Sequence, residues 1–421
     1  MKMNKLLAYL FLLLPALTLQ SCLKNQEDVF PESSAAQMKD YLDKTKDVLA
    51  SSEKGWVLDM YPDKTRKYGG FAFVLKFDAD KATVGSELSP NPSNLITSLY
   101  KTTADDGPVL TFDTYNAWMH KLATPSSEQT TALGGDFEFV IDSIGSDLIV
   151  VHGKRNQNVM YFRKLTDQTM TEYLTAVKKM KSTFKMSEGK GRVGDKKVVM
   201  KFSNHRLNLS VGDKEVASKV AYTLTDKGIR FYSPLDFNGV KVSEMTFDAE
   251  GNKLTAKEDA NIVLYGFTPQ LSKNDDAFER ELYVGEDIQS VTTSEGSEWL
   301  TVTKTSNGIK VSAPANTSGH INKAVIKVKT ADGESTITVT QADFDKDVAG
   351  NYTLYFNDYY DAAQTTPATI SRETDGKILM KWTTSNVPVT IELTWNSEKL
   401  ALDMESRQLI GKSLMSSGDT W

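Results

Sequence analysis

The sequence predicts a mainly β protein built of antiparallel meanders, and three observations carry that reading. Apolar residues recur at a period of two, as where Phe71, Phe73, Leu75 and Phe77 alternate with Ala72, Val74 and Lys76, the mark of a strand with one buried face. Gly- and Asx-rich turns separate such runs at short intervals, and helical periodicity is confined to two long stretches. The composition, 40% hydrophobic with 16 Tyr and 18 Phe, suits packed sheets rather than a disordered chain. A length of 421 residues exceeds what one core usually holds, so two to four domains are expected.

Residues 1–21 read as a signal peptide. Lys2 and Lys5 precede the apolar run Leu6–Leu14, and the segment closes on Leu19-Gln20-Ser21-Cys22, a positive region, a hydrophobic region and a small residue before the cut. Cys22 is the sole cysteine of the chain, which rules out an internal disulfide and makes it the expected site of lipid attachment, with a membrane as the partner. The apolar run is too short for a stable span, and no other segment approaches the roughly 20 apolar residues one needs. Losing Lys2 and Lys5 with the signal moves the formal charge from −6 to −8. No clustered basic face opposes that balance, so a nucleic-acid partner is not expected.

Residues 22–32 form a polar tether containing Pro31, and Ser33 or Ser34 then caps a helix whose Met38, Tyr41, Leu42, Thr45, Val48 and Leu49 share one face. From Trp56 the period becomes two, and Asp78-Ala79-Asp80-Lys81 turns Phe71–Phe77 into Ala82–Leu88 as a hairpin. Residues 89–135, broken by Pro90, Pro92, Pro108 and Pro125, are expected to be irregular, with one short helix near Asp113–Leu122. Strands are expected at Phe137–Ile141, Leu148–Gly153 and Val159–Arg163. Thr169 with Glu172 makes a capping box for a second helix carrying Met170, Leu174, Val177 and Phe184. The stretch Gly189-Lys190-Gly191-Arg192-Val193-Gly194 reads as a flexible loop, since it lacks the context of a phosphate-binding turn. Strands follow at Lys197–Phe202, Leu207–Val211, Val220–Leu224, Ile229–Tyr232, Val240–Val242 and Glu244–Asp248. The corners Lys76-Phe77-Asp78-Ala79-Asp80 and Thr246-Phe247-Asp248-Ala249-Glu250 look alike and suggest a weak internal repeat of up-and-down meanders. The whole of 33–268 is thus a helix-decorated antiparallel β region, barrel-like or divided into two meanders near 187.

Two resemblances add to this. Gly55-Trp56-Val57-Leu58-Asp59-Met60-Tyr61-Pro62, Tyr68-Gly69-Gly70-Phe71, Leu110–Asn116 and Gly134-Gly135-Asp136-Phe137-Glu138-Phe139 resemble a family of uncharacterised Bacteroidetes lipoproteins, a domain of unknown function, over about 25–268. Glu27-Asp28 resembles the surface-export signal of such lipoproteins, which implies an outer-membrane anchor facing the cell exterior. Trp299-Leu300, Asn322-Lys323-Ala324-Val325-Ile326-Lys327-Val328, Gly333 and Ile337-Thr338-Val339-Thr340-Gln341 are similar to the BACON domain over about 271–342, with Lys323 in place of its usual arginine. That resemblance implies a small immunoglobulin-like β-sandwich, in which Trp299 should fill the core between sheets. Residues 348–421 form a short third β unit with strands at Tyr352–Phe356, Ile378–Trp382, Val387–Trp395 and Leu400–Asp403.

Candidate chemistry is sparse. His120, His152, His205 and His320 are scattered without ligand spacing, and Asp78-Ala79-Asp80 and Asp275-Asp276 lack the rest of a calcium loop, so neither a metal nor another cofactor is expected. No nucleophile elbow appears. Asp113 and Asp136 sit in motif-like segments and could serve a glycosidase, but carboxylates there also make turns and caps. Sugar recognition would use a flat aromatic face beside polar groups, for which the candidates are Asp113, Tyr115 and Trp118 in 89–136 and Tyr359 and Tyr360 in the Asn357–Asp361 loop. The function expected is therefore non-enzymatic: a surface lipoprotein accessory to polysaccharide or glycoprotein capture. The alternative is a protein-interaction subunit of an outer-membrane assembly that touches no sugar, and a glycoside hydrolase comes third.

Overall fold

The computed structural model describes residues 33–404 apart from 106, 113, 126–129, 286, 307, 332, 358–361, 385–386 and 397–400. Cys22, Asp113, Tyr359 and Tyr360 lie outside the described residues, as do the signal, the tether and the positions from 405 onward. The chain is mostly β with three helices among the described residues, and it divides into two compact units between Lys178 and Lys179.

In the first unit, helix α1 (Ser34–Ala50) starts where Ser33 Oγ accepts a hydrogen bond from the Ala36 N–H at 3.2 Å, which satisfies one orphan donor of the first turn. It buries Thr45 and Leu49, and Trp56 Nε1 donates to the Leu49 carbonyl at 2.8 Å, tying its end to the sheet. Strands β1 (Trp56–Met60), β2 (Phe71–Phe77), β3 (Lys81–Ser86), β4 (Ile96–Leu99), β5 (Lys101–Ala104), β6 (Pro108–Thr111), β7 (Glu138–Ile144), β8 (Leu148–Gly153) and β9 (Val159–Lys164) form one sheet in the order β4-β3-β2-β1-β9-β8-β7-β6-β5.

Tyr100 alone separates β4 from β5. Cα atoms two positions apart lie within about 7.6 Å, so the sheet wraps round until its two edges meet at this residue. The nine strands act as eight, β4 and β5 being halves of one strand that pairs first with β3 and then with β6. The interior of an eight-stranded barrel can be filled by side chains or hold one small ligand, so what occupies it decides which. Phe77, Phe112, Phe139 and Phe162 fill it, with ring centroids 6.2–6.4 Å apart across the interior.

Strands β4, β5 and β6 make 89–135 more regular than expected, since no strand was anticipated in it. Pro108 is tolerated as the first residue of β6, where it need not donate to the ladder. The helix expected near Asp113–Leu122 is instead a series of turns, with the His120 N–H donating to the Asn116 carbonyl at 3.0 Å and Lys121 N–H to Trp118 at 3.1 Å.

Helix α2 (Met170–Thr183) begins with the capping box read from the sequence: Thr169 N–H and Oγ1 both donate to Glu172 Oε2, at 2.7 and 2.9 Å, and Glu172 N–H donates back at 3.3 Å. In the first unit its Met170 and Leu174 lie over Gly55 and Gly85, two positions at which a Cβ would collide with its neighbours.

The second unit opens with a closed barrel of β10 (Glu188–Val193), β11 (Lys196–Ser203), β12 (Arg206–Val211), β13 (Lys214–Leu224), β14 (Gly228–Phe237), β15 (Val240–Asp248), β16 (Lys253–Ala256) and β17 (Val263–Gly266), each paired with the next. The glycine-rich stretch expected to be a loop is strand β10. Its glycines let the barrel close: Gly189 faces Gly266 on β17, and a Cβ on Gly191 would overlap the Val263 carbonyl oxygen. Val198, Met200, Leu209, Ile229, Phe237, Met245 and Leu264 fill the interior. Both barrels are therefore packed cores rather than carriers of a small molecule. The look-alike corners do each belong to an up-and-down meander, but they join the second and third strands of one barrel and the sixth and seventh of the other. They do not occupy equivalent places, so the motif carries no repeat.

Seven further strands form a sandwich. One sheet has the order β18 (Gln270–Lys273), β24 (Gly333–Gln341), β23 (Asn322–Thr330), β20 (Ser290–Thr293), and the other β19 (Phe278–Tyr283), β22 (Gly308–Ala313), β21 (Thr301–Lys304). β18 and β24 are parallel, the rest antiparallel. Ile326, Ile337 and Val339 from one sheet meet Leu282, Ile309 and Val311 from the other. Trp299 does not fill this core as expected; it is partly buried and packs on its rim, while its neighbour Leu300 is the buried residue.

A short helix α3 (Phe344–Asp347) leads into a five-stranded meander, β25 (Gly350–Asn357), β26 (Ala363–Arg372), β27 (Ile378–Thr384), β28 (Val387–Asn396) and β29 (Ala401–Met404). Strand β26 was not legible because Pro367 interrupts it. The ladder to β27 stops at Ala368, and Thr366 Oγ1 donates to the Thr383 carbonyl at 3.0 Å where the proline has no N–H to give. Phe344, Ile378, Ile391 and Leu393 make its core, and Arg372 pairs with Asp275 of the sandwich at 2.8 Å.

Candidate ligand-binding site

In an up-and-down meander alternate connections fall at the same end of the barrel. The described residues of 61–70, 87–95, 112–137 and 154–158 in the first unit therefore share one end. β6 is short, so β4 is left without a partner on that side, and Asn116 takes its place: fully buried, its Nδ2 donates to the Ile96 carbonyl at 2.9 Å and to Ser98 Oγ at 3.2 Å. Its Oδ1 accepts the N–H groups of Trp118 and Met119 at 3.1 and 3.2 Å.

Asn158, buried beneath the same loops, donates to the carbonyls of Tyr61 and Asp63 at 3.0 and 2.8 Å and accepts from Arg66 Nη1 at 3.0 Å. Asp136 clamps the opposite side. Its carboxylate accepts the Arg155 N–H at 2.8 Å and Asn156 Nδ2 at 2.9 Å, and it lies where a Cβ on Gly153 would have to be. Burial pushes the Asp136 carboxyl above the usual carboxylate range, against the pull of those donors.

The candidates named from the sequence part company here. Trp118 is 9% exposed and gives its Nε1 proton to the Asn94 carbonyl at 2.8 Å. It is a packing residue and offers no platform. Tyr115 is 67% exposed, lies over His120 at 5.1 Å, and His120 in turn stacks on Phe137 at 4.5 Å. Burial holds the His120 imidazole below its ordinary value, the Asn116 backbone acting the other way.

Phe137 borders a cleft of about 320 Å³ with Gly135, Asp136, Glu138, Lys154 and Arg155. Glu138 accepts from Thr111 Oγ1 at 3.4 Å, and Lys154 pairs with Asp105 at 2.5 Å. The result is an exposed ring backed by two more, beside a mainly apolar cleft bordered by charged residues of both signs. Glu138 and Phe137 lay within a motif that the sequence offered; Lys154 and Arg155 carried no signal, since they arrive from the turn between β8 and β9. Among the described residues no three His, Cys, Asp or Glu side chains converge as metal ligands, and no helix is long and apolar enough to cross a membrane.

The sequence matches the family described as Domain of unknown function (DUF4302) over residues 26–249, more than half of its length. The chain belongs to this family. The match to DUF4302 runs through the first barrel and ends in the turn between β15 and β16 of the second. No curated protein matches the chain. Among solved structures it is similar to a Bacteroides ovatus GH5 xyloglucanase in complex with a heptasaccharide, at 18% identity over 18% of this chain and 17% of that one, with a TM-score of 0.16. It is also similar to an endo-fucoidan hydrolase from glycoside hydrolase family 107, at 10% identity over 61% of this chain and 38% of that one, again with a TM-score of 0.16. The chain spans well under half the length of either hydrolase, and likenesses at this score carry no argument about activity.

Proposed function

We propose that this DUF4302 chain is a non-enzymatic, lipid-anchored surface protein that captures glycan chains of polysaccharides or glycoproteins at the loop end of its first barrel. The observation that carries the reading is Tyr115. Its ring is two-thirds exposed, and a flat ring beside hydrogen-bonding groups suits the apolar face of a sugar. Local support favours the same use, because a ring already resting on His120, which is itself stacked on Phe137, loses little freedom on binding.

The filled barrels argue against an internal ligand. Asp136, held by three neighbouring groups, is a clamp rather than a free acid, which leaves the cleft without the facing pair of carboxylates that glycoside hydrolysis uses. Anchoring through Cys22, display on the outer membrane and a BACON-like spacer role for the sandwich complete the proposal on the strength of the sequence.

A glycan array probed with the full chain and with Tyr115→Ala tests it. Retention of at least one neutral glycan by the wild type, lost in the variant with an unchanged circular dichroism spectrum, is the expected result. If the wild type retains no glycan, or if the variant retains the same glycans equally, the reading fails and an interaction subunit becomes the better description.

A further inference from the structure

The second unit holds a cleft of about 480 Å³ where its closed barrel meets the sandwich. The chain passes between the two through Phe267, Thr268 and Pro269. This passage is fixed: the Gly266 N–H donates to the Asn252 carbonyl at 2.7 Å, and Asn252 Nδ2 reaches Thr268 Oγ1 at 3.1 Å. Across the same junction Arg280 of β19 pairs with Glu250 at 3.2 Å, and the rings of Tyr265 and Tyr283 stack at 5.3 Å, 12° from parallel. The walls are thus pinned from several sides, and the space between them is preformed.

Its charge is unbalanced. Lys185, Lys273 and Arg280 line the cleft, against Glu250 alone. Glu250 is itself 81% exposed, so solvent screens most of what it offers Arg280. Lys273 is half-buried and rests over the Phe278 ring at 5.9 Å. Burial, and then the charge of Arg280, hold its ammonium below the ordinary lysine value, with Glu250 acting the other way. Two cations brought together under partial burial repel each other, an arrangement that costs stability unless an anion relieves it.

The other chemistry of the cleft narrows the anion. Phe267 is 42% exposed, an apolar face at the mouth, and Gln270 and Thr268 contribute amide and hydroxyl groups beside it. A free inorganic anion would leave the ring unused, and a neutral sugar could accept hydrogen bonds from the cations but not neutralise their charge.

We propose that this junction cleft binds an acidic saccharide, its carboxylate or sulfate held by Lys273, Arg280 and Lys185 and its sugar face lying on Phe267. The site is distinct from the loop end of the first barrel and does not depend on Tyr115.

Titration calorimetry on the full chain tests this with four probes: a galacturonate tetrasaccharide, a sulfated maltotetraose, neutral maltotetraose and tetraglutamate. One or both acidic tetrasaccharides should bind at least ten-fold more tightly than maltotetraose and tetraglutamate, and which of them binds identifies the anionic group. Lys273→Glu and Phe267→Ala should each weaken that binding ten-fold or more, and Tyr115→Ala should leave it unchanged. Lys185→Glu, at an exposed position where folding is not at stake, should weaken it several-fold. Absence of binding by both acidic probes, equal binding of tetraglutamate, or unaltered binding by Lys185→Glu together with a folded Lys273→Glu overturns the assignment. So does loss of this binding in Tyr115→Ala.

Discussion

Leu99 and Lys101 are two positions apart in the chain yet stand at opposite ends of a nine-strand order, Leu99 opposite Lys81 and Lys101 opposite Thr111. Tyr100 between them is 3% exposed, gives its hydroxyl proton to the Asp78 carbonyl at 2.9 Å and meets Phe77 edge-on at 5.0 Å. The barrel closes around this one side chain.

Tyr100→Ala should therefore destabilise the first unit by about 3–5 kcal/mol, the usual cost of removing a buried aromatic. Tyr100→Phe keeps the ring and should lose only about 1 kcal/mol with the hydroxyl bond. Urea unfolding followed by fluorescence separates the two, and equal losses would show that the hydroxyl rather than the ring holds the seam.

The second barrel closes differently, backbone against backbone. Gly191→Ala places a methyl group on the Val263 carbonyl oxygen, and β10 has to move away from β17. A loss of about 1–3 kcal/mol is expected, with faster hydrogen exchange at Gly189 and Tyr265 than in the wild type. Unchanged exchange there would mean that the seam tolerates the methyl group.

Tyr115 and Trp118 lie three residues apart and should respond in opposite ways. Trp118→Ala should cost about 3–5 kcal/mol of stability because it empties a buried site. Tyr115→Ala should change stability by no more than about 0.5 kcal/mol, as for other exposed positions. Thermal unfolding of both variants decides whether the platform and packing roles are divided in this way.

His120 and His205 are both held below the ordinary histidine value by burial, His205 also by the charge of Lys181. Above the unfolded-state value near 6.5 both states carry neutral imidazole, and these groups make stability independent of pH. As pH falls below it, the unfolded chain takes up protons that the folded chain resists, so stability is lost with acidification. The midpoint of thermal unfolding should fall between pH 7 and pH 5, and the double variant His120→Phe, His205→Phe should show a shallower fall. An equally steep fall in that variant would assign the pH dependence to the carboxylates.

Much of this protein was determined by the sequence alone, because the information is local. Alternation in 71–77 reports a half-buried strand without knowledge of its partners, and Ser33 and the Thr169–Glu172 box announce helix starts because a cap is completed within four residues. Only the tertiary structure decided the rest. Gly189 and Gly191 read as a loop, since what requires them is the carbonyl of Val263, more than seventy positions away. Strand β26 was hidden by Pro367, whose missing bond is replaced by a threonine of its own strand acting across the sheet. Trp118 and Tyr115 looked equivalent, and which of them turned to solvent depended on where β4 ran out of partners and Asn116 had to complete its edge. Clefts such as the one holding Lys273 and Arg280 form where separate domains meet, and the distance between two domains is written in no single segment of the chain.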